Sequence, residues 1–351
     1  MFVNGLSSDA SLHMIKFHAM GCTMGAWVAT EDHRYAVDRL NLVRVWMKLV
    51  DQILSRFNPD SELSRLNEYS ILPPVVSKLL WDALEWALDA AQLTGGLIDP
   101  TIMPALLNAG YEKDFSTLKH NSHGLPGGSL PWVEICYPGT DGDCRLGTSG
   151  SGWRMIERNP IHRTVSLPPD IRLDLGGTAK GWAAARAVEM LAPLGPSLVN
   201  AGGDLAVEGF YPADNGWIIG IKAPSSHYLP ETSNNLLAVL KIGSCGVATS
   251  GIDYRWWIRY GKRMHHLIDP STYQPTSTDL LSASVIAPNA AKADLYASVV
   301  IILGLEKGMA FLEGDPELEG LLVDKNSRCW ESTGFGSYVS SPVNDLHGVN
   351  G

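Results

Sequence analysis

Asp294 and Ser298 stand four residues apart in a stretch whose apolar spacing predicts a helix over 290–303, so a carboxylate and a hydroxyl share one helical face. Both are hard oxygen donors of the kind that hold magnesium. Leu295, Val299 and Ile302 mark the helix as buried, and a buried aspartate is costly without a partner. The plainer alternative is an exposed aspartate beside a serine bonded back to its own helix. The predicted burial tips the balance toward a ligand.

Asp174-Leu-Gly-Gly-Thr-Ala-Lys-Gly181 reads as a strand, two glycines and a helix start. Free N–H groups at such a start suit phosphate, and Lys180 adds positive charge. The spacing is neither that of a Walker loop nor a G-x-G-x-x-G fingerprint. A tight turn with a surface lysine is an equally good account. Asn200-Ala-Gly-Gly-Asp204 is a second glycine turn, more structural than functional by itself, with Asp204 expected to cap it through its own backbone. Ala248-Thr-Ser-Gly251, followed by Asp253-Tyr254, offers hydroxyls either to phosphate or to the local backbone. His265-His266-Leu-Ile-Asp-Pro270 ends an aromatic strand; such a pair is more often structural than catalytic. Asp99-Pro-Thr-Ile-Met-Pro104 has two prolines that fix an extended path and present Asp99 rigidly. In Arg56-Phe-Asn-Pro-Asp-Ser-Glu-Leu-Ser-Arg-Leu-Asn67, Ser61 is placed to cap a short helix. His18 and Cys22 have spacing that could suit a metal but no further ligands around them, and His120 and His123 read as surface residues.

These groups must be positioned by a fold, and the composition is that of a folded domain. The 351 residues are 45% apolar and 18% charged, enough for a substantial core in one large domain or two joined ones. Net charge is 27 − 37 = −10, which argues against a broad nucleic-acid face. Phosphate would have to be bound locally, by amides, a lysine or a metal. The 5 cysteines form no C-x-x-C pair, so neither a zinc ribbon nor a complete disulfide framework is indicated. Cys136 and Cys144 flank a polar loop and could form one local bridge, although nothing in the sequence places them together. No apolar run is long enough for a membrane span, and the N-terminus lacks a signal-peptide pattern. Cytoplasmic location is the default expectation; a missing leader would make it periplasmic or membrane-associated.

Periodicity predicts a first strand over 14–30, helices over 36–57 and 75–93, and an irregular Gly/Ser/Asp/Asn-rich excursion with short strands over 112–165. A strand at 171–175 leads through the Gly-Gly turn into a helix ending near 193. Strands follow at 197–200, 205–208, 217–222 and 236–242, then an aromatic hairpin from Tyr254 to His266 turning near Gly261, then a strand at 281–287. Meandering strands with scattered helices indicate α+β rather than a βαβ array.

Taken in order, these segments resemble the ApbE family of flavin transferases. The resemblance is carried by Met20-Gly-Cys-Thr23, Ser61-Glu-Leu-Ser-Arg-Leu-Asn67, Gly95-Gly-Leu-Ile-Asp-Pro-Thr101, Asp174–Gly181, Asn200–Asp204, Ala248–Asp253, His266–Pro270 and Ala293-Asp-Leu-Tyr-Ala-Ser298. It covers a domain over 14–313, with 112–165 as an insertion-like segment and 314–351 as an extension of a strand and a flexible tail. The resemblance implies a T-fold-related arrangement of mixed sheets and packed helices around an FAD cleft. It implies Mg2+ at the pyrophosphate and transfer of FMN from FAD, by a phosphoester bond, to a threonine of an acceptor flavoprotein in an electron-transport system. Asp294 and Ser298 then become metal ligands, joined by the Ala179 carbonyl. Met20, Ser61, Glu62, Asp99, Gly177, Lys180, Thr249 and His266 fall at cofactor-binding positions, and His266 and Asp294 at catalytic ones, His266 as the base for the acceptor hydroxyl. Ser298 stands where threonine is usual, which keeps the hydroxyl, and Ala105–Tyr111 lacks a tryptophan often found there. Two other readings use the same cleft: an FAD pyrophosphatase with water as acceptor, and a non-catalytic FAD carrier. The presence of Asp294, Ser298 and His266 weighs against the carrier.

Overall fold

The computed structural model describes residues 10–68, 73–115, 152–211, 216–224 and 236–342. Most of the 112–165 excursion, with Cys136, Cys144, His120 and His123, lies outside them. The chain divides into two compact units: the first comprises 1–49, 180–254 and 278–351, the second 50–179 and 255–277. Elements are numbered in chain order.

The first unit is built on an eight-stranded sheet of order β1-β2-β5-β6-β9-β14-β15-β16, every ladder antiparallel. Its strands are β1 (Ser11–Ala19), β2 (Cys22–Thr30), β5 (Ser197–Ala201), β6 (Asp204–Glu208), β9 (Cys245–Gly251), β14 (Leu280–Ala287), β15 (Glu319–Asp324) and β16 (Cys329–Glu331). A second sheet, β17-β8-β7, comprises β7 (Trp217–Lys222), β8 (Leu236–Ile242) and β17 (Val339–Pro342). Between the sheets Leu198, Leu205, Val207 and Val247 pack against Trp217, Ile221, Leu240 and Ile242, with Phe335 fully buried among them. Antiparallel sheets with separate helices confirm the α+β expectation.

The segment expected as one strand over 14–30 is a hairpin. Alternation runs from Ile15 to Ala19 and breaks at Met20-Gly21, where the chain reverses. Met20 (φ 51°) and Gly21 (φ 68°) both adopt the left-handed region that a two-residue hairpin turn needs, and a methionine there gives no turn signal. The boundary drawn at 313 also falls inside the unit, because β15 pairs with β14 from Ser282↔Val323 to Ile286↔Glu319. A pairing between segments so far apart leaves no local signature.

Helices α1 (His33–Leu54), α5 (Ala179–Leu191), α6 (Ala290–Leu303) and α7 (Leu305–Glu313) complete the set around this sheet. Trp46 of α1 donates to the Ala183 carbonyl of α5 at 3.1 Å, and its ring lies 5.6 Å from that of Trp182. The α6 residues are buried on every side from Ala290 to Ile301 apart from Lys292, as a helix apolar all round must be. Asn289 caps its start by accepting from Lys292 N–H at 2.9 Å, and Gly304 (φ 78°) ends it. At Gly246 an added Cβ would strike the backbone of Asn289 and Ala290, so the glycine lets α6 begin directly against β9.

The second unit contains α2 (Glu62–Glu68), α3 (Lys78–Leu93), α4 (Met103–Asn108), a hairpin of β3 (Glu157–Asn159) and β4 (Thr164–Ser166), a hairpin of β10 (Trp256–Arg259) and β11 (Lys262–His265), and the short pair β12 (Ile268–Asp269) and β13 (Gln274–Pro275). Ser77 caps α3 through Leu80 N–H. Tyr111 stacks on Trp257 with ring centroids 5.1 Å apart, and Trp257 Nε1 donates to the Ala109 carbonyl at 2.7 Å. No strand forms at 171–175. Asn67 takes the place of a neighbouring strand: its Oδ1 accepts from Leu173 N–H at 2.7 Å, and its Nδ2 donates to the Leu173 carbonyl at 2.9 Å. Among the described residues, no helix is long and apolar enough to cross a membrane.

Candidate functional site

In the first unit, α6 presents Asp294 and Ser298 one turn apart, 5% and 4% exposed. Asp294 Oδ2 accepts the Gly181 N–H of α5 at 3.0 Å. This contact requires glycine: a Cβ at 181 would lie 2.5 Å from both the Ala290 carbonyl oxygen and the Asp294 Cβ. Ser298 Oγ lies 2.9 Å from Ser250 Oγ of β9. Thr249 bonds instead to Ser284, directly opposite it on β14, at 2.8 Å. Successive side chains leave a strand on opposite faces, so the hydroxyl that β9 turns toward α6 is that of Ser250 rather than Thr249. The sequence offered both hydroxyls; only the strand register separates them.

Lys180 forms an ion pair with Asp204, which is buried at the start of β6. The expectation that Asp204 caps its own turn is therefore corrected. Asn200 Oδ1 does that by accepting from Gly203 N–H at 2.8 Å. The Lys180 charge is already matched rather than wholly available to a ligand. At the same turn Gly202 (φ 71°) approaches Cys22, whose Sγ would lie 2.5 Å from an added Cβ. The Met20 hairpin tip and the Asn200–Asp204 turn thus meet at one end of the sheet.

These oxygens suit a magnesium ion. One carboxylate and one hydroxyl leave coordination positions for water and substrate phosphate, which is how magnesium is usually held. Among the described residues no group of three or more His, Cys, Asp or Glu side chains forms a closed metal cage.

In the second unit, Asp174 holds its own turn: Oδ1 accepts from Gly176 N–H at 2.7 Å, and Oδ2 pairs with Arg56. The expected row of free helix-start amides is largely consumed. Thr178 and Ala179 N–H groups both go to the Leu175 carbonyl, at 3.1 and 2.9 Å. The Gly177 amide has no acceptor among the described residues, and a Cβ at 177 would meet nothing within 4 Å, so this point of the turn is open to a ligand. Ala179 opens α5; one lone pair of its carbonyl points along the helical ladder, leaving the other for any main-chain ligation.

Ser61 caps α2, accepting from Ser64 N–H at 2.9 Å, and Glu62 Oε1 accepts from Ser77 N–H at 2.5 Å. Both therefore have structural duties in addition to any contact with a cofactor. Asp99 is 2% exposed. Its Oδ1 accepts from Thr101 N–H and Oγ at 2.8 and 2.6 Å, while its buried Oδ2 has no hydrogen-bond partner among the described residues. Burial pushes this carboxyl above its ordinary value; the Thr101 hydrogen bonds and Arg154 pull the other way. An orphaned buried acceptor is the kind of atom a ligand donor would satisfy. His265 is anchored through Nε2 to the Thr276 carbonyl at 3.1 Å, and half-buried His266 follows immediately beyond β11.

The sequence did not show Arg56 as a keystone. Its guanidinium lies 4.2 Å from the Phe57 ring centroid and 4.8 Å from that of Tyr111, and it donates to the Tyr111 carbonyl at 2.8 Å as well as pairing with Asp174.

Residues 20–322 match the family model described as the ApbE family. The FAD:protein FMN transferase of Treponema pallidum is 30% identical over 302 residues, spanning 81% of this chain and 76% of the relative. That of Escherichia coli K12 is 27% identical over 337 residues, spanning 92% and 89%. The ApbE protein of Thermotoga maritima superposes with a TM-score of 0.76 at 21% identity, covering 94% of this chain and all of that one (100%). The flavin transferase ApbE of Vibrio cholerae gives 0.70 at 22% identity, with coverage of 94% and 100%.

Proposed function

The chain belongs to the ApbE family, and from that membership we propose that it transfers FMN from FAD to a threonine hydroxyl of an acceptor flavoprotein, with magnesium, releasing AMP. The observation that carries this reading is the buried Asp294 carboxylate, one helical turn from Ser298 and fastened to the start of α5 through Gly181. A carboxylate and a hydroxyl one helical turn apart are hard oxygen donors of the kind that hold magnesium.

Asp294 and Ser298 are assigned the metal, with the Ala179 carbonyl as a main-chain contributor. A bound magnesium ion offsets negative charge on the pyrophosphate oxygens and on departing AMP. Ser250 would orient the Ser298 hydroxyl through its 2.9 Å contact, and Gly181 N–H, bonded to Asp294 Oδ2, would fix the carboxylate that holds the metal. Asp204 holds Lys180 in place for the nucleotide. Met20, Ser61, Glu62, Asp99 and Gly177 are assigned to FAD, with the Gly177 amide and Asp99 Oδ2 supplying a donor and an acceptor; Thr249, turned to the face opposite α6 and bonded to Ser284, is not. The threonine oxygen attacks the phosphorus of the FMN half, forming one P–O bond as the bond to the AMP oxygen breaks. His266 accepts the hydroxyl proton. The acceptor is a flavoprotein of an electron-transport system.

Incubation with FAD, magnesium and a threonine-bearing acceptor domain tests this. The expected products are AMP and acceptor carrying FMN on threonine in equal amounts. Free FMN beside unmodified acceptor would make the protein a pyrophosphatase, and FAD bound but intact would make it a carrier. His266→Ala should slow transfer while FAD affinity holds; equal loss of both would assign His266 to binding.

A further inference from the structure

At the open edge of the large sheet, His13 of β1 and His33 at the start of α1 face each other with their Nδ1 atoms 3.3 Å apart. Their ring centroids are 5.1 Å apart, and the planes are inclined at 55°. His13 Nε2 lies 3.2 Å from the Thr30 carbonyl oxygen. A carbonyl only accepts, so Nε2 carries the proton, and in the neutral ring Nδ1 is left with its lone pair directed at His33. An imidazole whose second nitrogen donates to a main-chain carbonyl is the arrangement found behind metal-bound histidines.

From this geometry we infer that His13 and His33 chelate a divalent transition-metal ion of the zinc, nickel or copper class, with water completing its shell. Two nitrogens bound to zinc at about 2.05 Å with a tetrahedral angle lie about 3.3 Å apart, the separation the two rings already have. Imidazole nitrogen selects borderline metals and leaves magnesium to oxygen donors. The ligands are twenty residues apart in sequence but are held from both sides. The β1–β2 ladder runs in register from Ser11↔Thr30 to Ala19↔Cys22 and pairs His13 with Val28, two residues from the Thr30 carbonyl that its ring reaches. Asp32 Oδ1 caps α1 by accepting from Tyr35 N–H at 3.0 Å, fixing the backbone at His33. The positive end of the α1 dipole opposes a cation here, and Glu31 and Asp32 offset it. Among the described residues no third His, Cys, Asp or Glu closes the site, so it is an open, exchangeable surface chelate joining the edge strand to α1. It is distinct from the Asp294 site and does not depend on the transferase reading.

The test is calorimetric titration of the full, tag-free chain with zinc alone, in buffer already containing magnesium. Wild type should show one zinc site that His13→Ala and His33→Ala each weaken at least tenfold, with metal-free unfolding temperatures unchanged. Paramagnetic nickel should broaden the His13 and His33 imidazole signals before those of other histidines. Zinc binding by both variants with wild-type stoichiometry and affinity would overturn the inference, as would nickel broadening that spares these two rings. Either result would leave a simple N–H···N hydrogen bond between them.

Discussion

Replacing Asp294 with asparagine separates the chemistry of this position from its packing. The side chain keeps its volume, and its carbonyl oxygen can still accept the Gly181 N–H that now lies at 3.0 Å. Exchanging a charge-assisted hydrogen bond for a neutral one costs about 1 kcal/mol, and removing a buried charge returns part of that. Unfolding free energy should therefore change by about 1 kcal/mol or less. Transfer should change far more. If the metal supplies about 3–4 kcal/mol of charge stabilisation in the transition state, its loss slows transfer by about 10²–10³-fold. Initial rates of covalent FMN formation, at fixed FAD and over a magnesium titration, read this directly, with urea unfolding on the same samples. A rate within about threefold of wild type would refute metal binding by Asp294. A rate loss matched by a collapse in stability would make the residue a structural one.

Gly181→Ala drives a Cβ to 2.5 Å from the Ala290 carbonyl oxygen and the Asp294 Cβ, so it should cost about 1–3 kcal/mol in urea unfolding and also impair transfer; unchanged stability would contradict the close α5–α6 crossing. Arg56→Lys cannot reproduce the pairing with Asp174, the bond to the Tyr111 carbonyl and the stacking on two rings, and a loss of about 2 kcal/mol is expected by the same method. For Asp99, burial raises the folded carboxyl above 3.8, so the folded protein holds this proton more tightly than the unfolded chain. The resulting penalty is absent below pH 3.8, grows through the interval up to the folded value, and is complete above it. Asp99→Asn should accordingly gain on wild type as pH is raised from acid toward neutrality, whereas a difference independent of pH would show that the carboxyl carries no such penalty.

Sequence spacing reached far into the site because much of its chemistry is local. The Asp294–Ser298 pair follows from helical period alone, and Asn289 and Gly304 bound that helix with ordinary capping residues. The partners of these groups come from distant segments and left no local trace. Nothing near Lys180 announces Asp204, and nothing near Leu173 announces that Asn67 will stand in for a strand. Thr249 and Ser250 are indistinguishable until β9 is placed in register with Ser284 on β14. The Met20 turn stayed hidden for a different reason, since its backbone demands a left-handed residue and the chain supplies methionine. Residues 314–351 read as an extension because a strand gains its place from its neighbours, and those of β15 are β14 and β16.

Anomalous diffraction from crystals grown with FAD and manganese in place of magnesium addresses the metal assignment at the level of atoms. A single strong peak within coordination distance of an Asp294 carboxylate oxygen, the Ser298 hydroxyl and a pyrophosphate oxygen of FAD is the predicted result. A peak elsewhere, with Asp294 bonded only to protein and FAD bound away from it, would contradict the account.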